Sequence, residues 1–156
     1  MTRVSLTEDG IQAVLSEEGY DVKRITDGTF RGSVFAAGRN LPFHVHLDVE
    51  GFLVCAILRF VRSPEYEHQA ERLYKRLLEL NQELMMAKLS IDDDLDVILS
   101  VEYPAAELDR SEVADAIRVL AHYANQLIDE LEDLAAGLEP PARMSSPPDL
   151  RRTGAA

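Results

Sequence analysis

A change of periodicity within residues 77–103, LLELNQELMMAKLSIDDDLDVILSVEY, limits what this chain can fold into. Leucines at helical spacing lead up to Asn81, and apolar and polar residues then alternate along two stretches that flank Asp92, Asp93 and Asp94. Helical spacing indicates an amphipathic helix, and alternation indicates a strand with one buried face. The segment therefore predicts a helix that ends at Asn81 and a β-hairpin that turns at the aspartates.

Three more strands are predicted upstream of this segment. Turn-forming combinations of Gly, Asp and Asn bound three stretches with strand periodicity, residues 29–36, 41–49 and 52–61. The second stretch alternates apolar and polar residues, which is typical of a strand with one face in water. The third is apolar in both phases, so we expect it in the middle of the sheet, covered on both sides.

Three helices complete the predicted fold. Helix-start signals at Ser5, Ser63 and Asp109 precede stretches of helical periodicity, and the last helix runs to Gly137. The predicted class is α+β, with an antiparallel sheet of about five strands flanked by three helices in the order α-β-β-β-α-β-β-α. Residues 1–137 are expected to form one domain, and residues 138–156, rich in Pro, Ser and Arg, a mobile tail.

The charge and composition of the chain restrict its partners and its location. Its 156 residues carry a formal net charge of -12, which repels phosphate backbones, so we expect no direct binding to nucleic acid. The single Cys forbids an internal disulfide and fits a reducing compartment. The N-terminus has no apolar run typical of a signal peptide, and no stretch is long enough for a membrane span. These features predict a cytoplasmic protein that does not contact a membrane.

The run LLELNQEL, continued by KLSIDDDLDVILSVEYP and LDRSEVADAIRVLAHYANQL, resembles the YbjN family of bacterial proteins. Members of that family are described as sensory transduction regulators, and their fold resembles that of the type III secretion chaperones. The resemblance covers residues 6–134 by the order of the elements, and by sequence it is specific over residues 77–127. It implies a small, non-enzymatic, dimeric protein that binds other proteins, and it carries no catalytic residue over to this chain.

One candidate metal site lies on the second predicted strand. Alternation places His44, His46, Asp48 and Glu50 on one side of that strand, and two His at i and i+2 can share a zinc ion. A third ligand from the same straight strand is hard to bring close. The ordinary polar face of a half-buried strand is therefore the preferred interpretation, and we expect no metal.

A second candidate site is the run Asp92, Asp94 and Asp96, which imitates the start of a calcium-binding loop. Such a loop needs Gly at its sixth position and Glu at its twelfth, where this chain has Val97 and Tyr103. An acidic hairpin turn is the preferred interpretation.

Apolar residues on the second face of the predicted sheet indicate a surface for a partner. Leu84, Met86 and Ile98 are out of phase with the apolar residues of their strands. One of the two apolar sets of the third strand must also lie on that second face, and we expect Cys55 to be a packed core or interface residue. Uncovered apolar surface marks an interface, and Met is common in adaptable ones. The candidate residues for a partner or dimer interface are Leu53, Cys55, Ile57, Leu84, Met86 and Ile98.

The sequence and the resemblance together predict a homodimeric, chaperone-like or regulatory protein that binds a client protein through an apolar surface with acidic surroundings. A basic client suits such a surface, and nucleic-acid-binding proteins are common basic clients. One alternative is a sensory or regulatory module that binds a small ligand between helix and sheet. A further alternative is a metal-dependent enzyme that uses His44 and His46. No catalytic motif is present, so we expect neither an enzyme nor a cofactor.

Overall fold

The computed structural model describes residues 7–138, which form one antiparallel sheet with three helices on one of its faces. The predicted α+β class and the chaperone-like order of elements are confirmed. Within the described residues the elements are α1 (Glu8–Glu17), β1 (Lys23–Thr26), β2 (Thr29–Ala36), β3 (Arg39–Leu47), β4 (Phe52–Val61), α2 (Glu67–Asn81), β5 (Ala87–Ile91), β6 (Val97–Pro104), a 3₁₀ turn (Ala105–Glu107) and α3 (Arg110–Ala135).

The sheet has six strands in the order β1-β2-β3-β4-β6-β5, and every neighbouring pair is antiparallel. β4 pairs with β3 on one side and with β6 on the other, so it lies inside the sheet as predicted. The sixth strand is β1, a short edge strand that pairs with β2 around a turn at Asp27 and Gly28. β1 and β5 are the two edges of the sheet.

The core lies between one face of the sheet and the helices. α3 crosses β2, β4 and β6, while α1 packs on α3 and α2 packs on α3 and β5. The side chains that β4 and β6 direct toward α3 include Leu53, Ile57 and Leu99, which are almost fully buried. Removal of this apolar surface from water is the main term that stabilises the fold.

The core is tightest where β2 passes β3. Gly32 lies opposite the ring of Phe43, whose side chain is fully buried and makes an edge contact with Tyr20. A Cβ atom at Gly32 would lie 2.6 Å from Cζ of Phe43 and 2.9 Å from Cγ1 of Val22. Glycine is therefore required at this position for space.

The starts of the helices differ in part from the predicted signals. α3 has the predicted capping box, in which the Asp109 backbone N–H donates to Glu112 Oε2 at 2.8 Å. α2 begins at Glu67 instead of directly after Ser63, and the Ser63 backbone N–H donates to Asp96 Oδ1 at 2.7 Å, which ties this segment to the β5–β6 turn. The Thr7 side chain caps α1, and the predicted cap Ser5 lies outside the described residues.

Two further predictions concern membrane-spanning segments and the C-terminal tail. No helix within residues 7–138 is long and apolar enough to cross a membrane. Apart from Leu138, the predicted tail falls on residues outside those that the structure describes.

Candidate partner-binding surfaces

Half of the predicted interface residues lie in the core. Leu53, Cys55 and Ile57 of β4 face α3, and their side chains are 0%, 0% and 1% exposed. A side chain in this position contacts a partner only if the helices move away from the sheet. These three residues therefore line the hydrophobic core of the domain in this structure.

The other three predicted interface residues lie in different places. Leu84 is half-buried and packs against the core at the end of α2. Met86 is exposed in front of β5, and Ile98 is half-exposed on the face of the sheet that carries no helix. The structure thus does not bring the six predicted residues together, but it points to two separate surfaces, one around Met86 and one around Ile98.

The first surface surrounds the edge strand β5, and we call it the β5 margin: Leu78, Met85, Met86 and Ile91. The four side chains are 71%, 73%, 61% and 41% exposed. Leu78 lies on α2, which packs against β5, and the two Met residues directly precede β5. Four large apolar side chains are thus exposed on or next to one strand, and uncovered apolar surface marks an interaction site.

Local geometry holds the two methionines of the β5 margin outside the core. The Met85 backbone N–H donates to the hydroxyl oxygen of Tyr123 on α3 at 2.9 Å. Met86 has a φ of 68°, in the left-handed region that residues other than Gly, Asn and Asp adopt infrequently. The acidic residues Glu83 and Asp93 are exposed before and after β5.

The outer edge of β5 is closed by a side chain of α2. Asn81, the last residue of α2, donates its side-chain N–H to the Leu89 carbonyl oxygen at 2.9 Å and accepts from the Leu89 backbone N–H at 2.8 Å. The amide therefore occupies the hydrogen-bonding groups that a further strand would use. Edge strands are commonly protected against pairing with other chains in ways of this kind. A partner at the β5 margin consequently contacts side chains and cannot pair with the backbone of β5 at Leu89.

The second surface is the helix-free face, the side of the sheet opposite the helices. The register of the strands places on it Lys23, Thr29, Arg31, Ser33, Phe35, Asn40, Pro42, His44, His46, Phe52, Val54, Ala56, Leu58, Lys88, Ser90, Ile98, Ser100 and Glu102. Its exposed apolar side chains are Phe52 and Leu58 on β4, which are 42% and 43% exposed, and Phe35 on β2, which is 73% exposed. None of these residues belongs to the core cluster.

Charge is segregated between the sheet and two of the helices. The six strands contain six Lys and Arg residues and one acidic residue, Glu102. By contrast, α3 contains six acidic residues and two Arg, and α1 contains three acidic residues and no basic one. The acidity that composition assigns to the whole chain is therefore concentrated away from the sheet.

One row of residues on the helix-free face crosses all six strands and contains no acid. Cross-strand pairing aligns Lys23, Arg31, His44, Ala56, Ser100 and Lys88. Lys88 forms an ion pair with Glu102 at 2.8 Å, whereas Lys23 and Arg31 have no carboxylate partner among the described residues. Burial and, to a smaller extent, the proximity of Arg31 lower the pKa of His44 from its ordinary value.

The predicted histidine pair lies on this face but lacks further ligands. His46 Nδ1 is 2.7 Å from the Thr29 hydroxyl, and His44 Nδ1 is buried with no hydrogen-bond partner within residues 7–138. β3 ends at Leu47, so Asp48 and Glu50 belong to the following turn, where Asp48 accepts from the Glu50 backbone N–H at 2.7 Å. His44 and His46 are therefore separated from the two carboxylates that the sequence pattern places beside them.

Within residues 7–138, the one group of three close metal-ligand side chains is Asp92, Asp94 and Asp96, whose nearest ligand atoms all lie within 4.8 Å. Hydrogen bonds within the β5–β6 turn account for this arrangement. Asp92 Oδ1 accepts from the backbone N–H groups of Asp94 and Asp96 at 3.0 and 2.9 Å. The group thus has the geometry of the acidic hairpin turn that we prefer from the sequence.

Two other features bear on the alternative functions. Burial raises the pKa of Cys55 to about 12, so its thiol stays protonated at neutral pH and is a poor nucleophile. A cleft of about 440 Å³ lies between the end of β4 with the segment that follows it and the end of α3, with Arg59, Arg62 and Glu132 among its lining residues. The cleft opens broadly to solvent.

The family described as "Putative bacterial sensory transduction regulator", YbjN, matches residues 7–133, which is most of the chain. The chain belongs to the YbjN family. The match begins at the cap of α1 and ends within α3, so it covers the whole sheet and confirms the resemblance seen in residues 77–127. No curated protein sequence matches this YbjN chain.

Solved structures of type III secretion proteins have the same fold as this YbjN protein. The Yersinia Pestis type III secretion chaperone SycH, in complex with a stable fragment of YscM2, aligns with 15% identity and a TM-score of 0.52 over 76% of this chain and 97% of the other. The heterodimeric complex ExoU-SpcU from the type III secretion system of Pseudomonas aeruginosa aligns with 20% identity and a TM-score of 0.53 over 84% and 99%. At these identities the similarity establishes the fold alone, which is that of the type III secretion chaperones.

Proposed function

We propose that this protein is a non-enzymatic, chaperone-like or regulatory protein that holds a partner protein on the β5 margin. The observation that carries the proposal is the exposure of Leu78, Met85, Met86 and Ile91 around one strand, with acidic residues on either side. The SycH structure, a chaperone bound to a fragment of another protein, supports this proposal for a chain of the same fold. The family description, a sensory transduction regulator, is compatible with a protein that acts by binding other proteins.

The expected client is a basic protein with an exposed apolar segment. The apolar side chains of the β5 margin give the complex its lifetime, because their burial removes apolar surface from water. Glu83, Asp93 and Asp94 attract a basic client and speed its association. A nucleic-acid-binding protein would have the required charge.

Client binding is tested after an affinity pull-down from the native cell and mass spectrometry have identified a client. Association and dissociation rates are then measured for the wild type and for Met86→Asp at two salt concentrations. Burial of one large apolar side chain contributes about 1.5–3 kcal/mol, so the substitution should accelerate dissociation by about tenfold or more. Higher salt should slow association of the wild type and change dissociation less.

Val49→Asp is the matched control, since Val49 is a fully exposed apolar residue in the β3–β4 turn. Circular dichroism first establishes that each variant is folded. If folded Met86→Asp and Leu78→Asp proteins release the client at the wild-type rate, the β5 margin does not hold it.

We also propose that the protein is a homodimer, as the family resemblance implies. Sedimentation at micromolar concentration should give twice the chain mass of 17.4 kDa. Met86→Asp and Ile98→Asp place the same charge on the β5 margin and on the helix-free face, so the variant that yields monomers identifies the dimer surface. A wild-type protein that remains monomeric at high concentration contradicts the proposal.

A further inference from the structure

We propose that the helix-free face is a second binding surface, which takes a protein segment that carries carboxylates beside apolar side chains. The inference goes beyond the proposed function, because it concerns another surface and a partner of the opposite charge. It rests on the charge of the strands, on the apolar side chains of β4 and on the size of the side chains in the row that crosses the sheet.

The first argument is charge complementarity. Lys23 and Arg31 lie side by side on β1 and β2 and have no carboxylate partner among the described residues, although the chain as a whole is strongly acidic. The strands contribute a single acid, Glu102, and Lys88 pairs with it. Two unpaired cations at one end of the row attract an anionic segment and suppress the binding of basic ones.

The second argument is the apolar surface next to these cations. Phe52 and Leu58 are exposed on β4, and Ile98 is half-exposed on the neighbouring strand. The face therefore offers apolar contacts at its middle and positive charge at its β1–β2 end. Such a surface matches a partner segment in which acidic and apolar residues occur together, since each part of the segment then meets its complement.

The third argument is the size of the side chains along the row that crosses the sheet. Ala56 and Ser100 lie at the centre of the cross-strand row, between His44 on one side and Lys88 on the other. Both side chains are small, whereas Arg31 and Lys88 farther along the row have long, exposed side chains. An extended segment can therefore cross the centre of the row with its carboxylates near Arg31 or Lys88 and its apolar side chains on Phe52 or Leu58.

Nucleic acid is the competing anionic partner. A face that binds nucleic acid must neutralise several phosphates, whereas on this face only Lys23 and Arg31 are cations without a carboxylate partner among the described residues. Two unpaired cations and an exposed apolar strip suit a protein segment better. The experiment below includes a nucleic-acid arm that can overturn this choice.

The test is a selection of random displayed peptides against the full-length protein. The peptides recovered on wild type should be enriched in Asp and Glu together with apolar residues, and this enrichment should disappear on the double variant Lys23→Glu, Arg31→Glu. Lys75→Glu, which reverses an exposed cation of α2, is the matched control and should leave the selected sequences unchanged. Circular dichroism and thermal melting establish that the variants are folded.

One selected peptide is then synthesised and titrated into wild type and single variants. Arg31→Glu should weaken its affinity about tenfold, because a reversal replaces attraction by repulsion, and Lys75→Glu by about twofold or less. Phe52→Ser should weaken it as well, whereas Met86→Asp on the β5 margin should have no effect. This difference separates a failure of the present inference from a failure of the proposed function.

Three results would overturn the inference. The first is a selection that recovers no peptide, or peptides without an excess of acidic residues. The second is a peptide affinity that Arg31→Glu and Phe52→Ser leave unchanged. The third is binding of a single-stranded homopolymeric RNA that Arg31→Glu abolishes, which would assign the helix-free face to nucleic acid.

Discussion

Replacement of Asn81 by alanine should loosen the edge of the sheet at β5. In the wild type, the Asn81 amide makes two hydrogen bonds to the backbone of Leu89, at 2.8 and 2.9 Å, and so takes the place of a neighbouring strand. Alanine removes both bonds and leaves the Leu89 N–H and carbonyl groups to solvent. The same change opens the edge to pairing with another chain.

The expected loss of stability follows from these two bonds. Each hydrogen bond contributes about 0.5–1.5 kcal/mol net, so the pair contributes about 2 kcal/mol. Asn81 is also the last residue of α2, and alanine is the better helix former by roughly 0.5 kcal/mol, which offsets part of the loss. The free energy of unfolding of Asn81→Ala should therefore fall by about 1.5 kcal/mol, which corresponds to a melting temperature lower by roughly 5 °C.

Denaturant unfolding measures the change, and hydrogen exchange locates it. The Leu89 amide should exchange slowly in the wild type and much faster in Asn81→Ala. The neighbouring substitution Gln82→Ala is the control, and it should change stability by about 0.5 kcal/mol or less. Equal stabilities for the two variants, or unchanged exchange at Leu89, would refute the role assigned to Asn81.

Three further predictions concern the core and the helix-free face. Gly32→Ala should reduce the free energy of unfolding by about 1–3 kcal/mol through overpacking, while Ser33→Ala on the opposite face should stay within about 0.5 kcal/mol in the same denaturation assay. The Cys55 thiol should react with a thiol reagent only as fast as the protein unfolds, because the side chain is fully buried, and burial also raises its pKa to about 12; rapid labelling of the native protein would contradict this. The pKa of His44 is lowered in the folded protein, so the unfolded chain binds the proton first and stability should decrease as the pH falls through about 6.5. Replacement of Arg31 by Gln should raise the His44 pKa in an NMR titration, and an unchanged or lower pKa would exclude Arg31 as a cause.

The parts of the fold that depend on local periodicity were predictable from the sequence. α2 ends at Asn81, and β5 and β6 form a hairpin around the aspartates, as the switch from helical to alternating spacing predicts. β1 was not predicted, because a four-residue edge strand with every side chain exposed has no alternation of buried and exposed positions. Its presence depends on pairing with β2, which local sequence does not encode.

Three of the six candidate interface residues lie in the core because of the register of one hairpin. A two-residue turn at Glu50 and Gly51 would align His46 with Cys55 and would place the Cys55 set of side chains on the wet face of β3. In the structure the turn also includes Val49, the Asp48 backbone N–H donates to the Phe52 carbonyl oxygen, and His46 pairs with Val54. A shift of one residue moves a whole set of side chains to the other face of the sheet. The Cys55 set is therefore in the core, and the Phe52 and Leu58 set faces solvent.

Net charge is a poor guide to the partners of this protein, because the charge is not evenly distributed. A value of -12 for the whole chain predicts a basic client, and the acidic surroundings of the β5 margin agree with that prediction. The helix-free face, however, carries Lys23, Arg31 and Lys88 and one strand acid, Glu102, so a segment that approaches its β1–β2 end meets positive charge first. Screening acts over about 10 Å at an ionic strength of 0.1 M, so each surface presents mainly its own local charge. The two surfaces should therefore select partners of opposite charge, and charge reversal on one should leave binding at the other nearly unchanged.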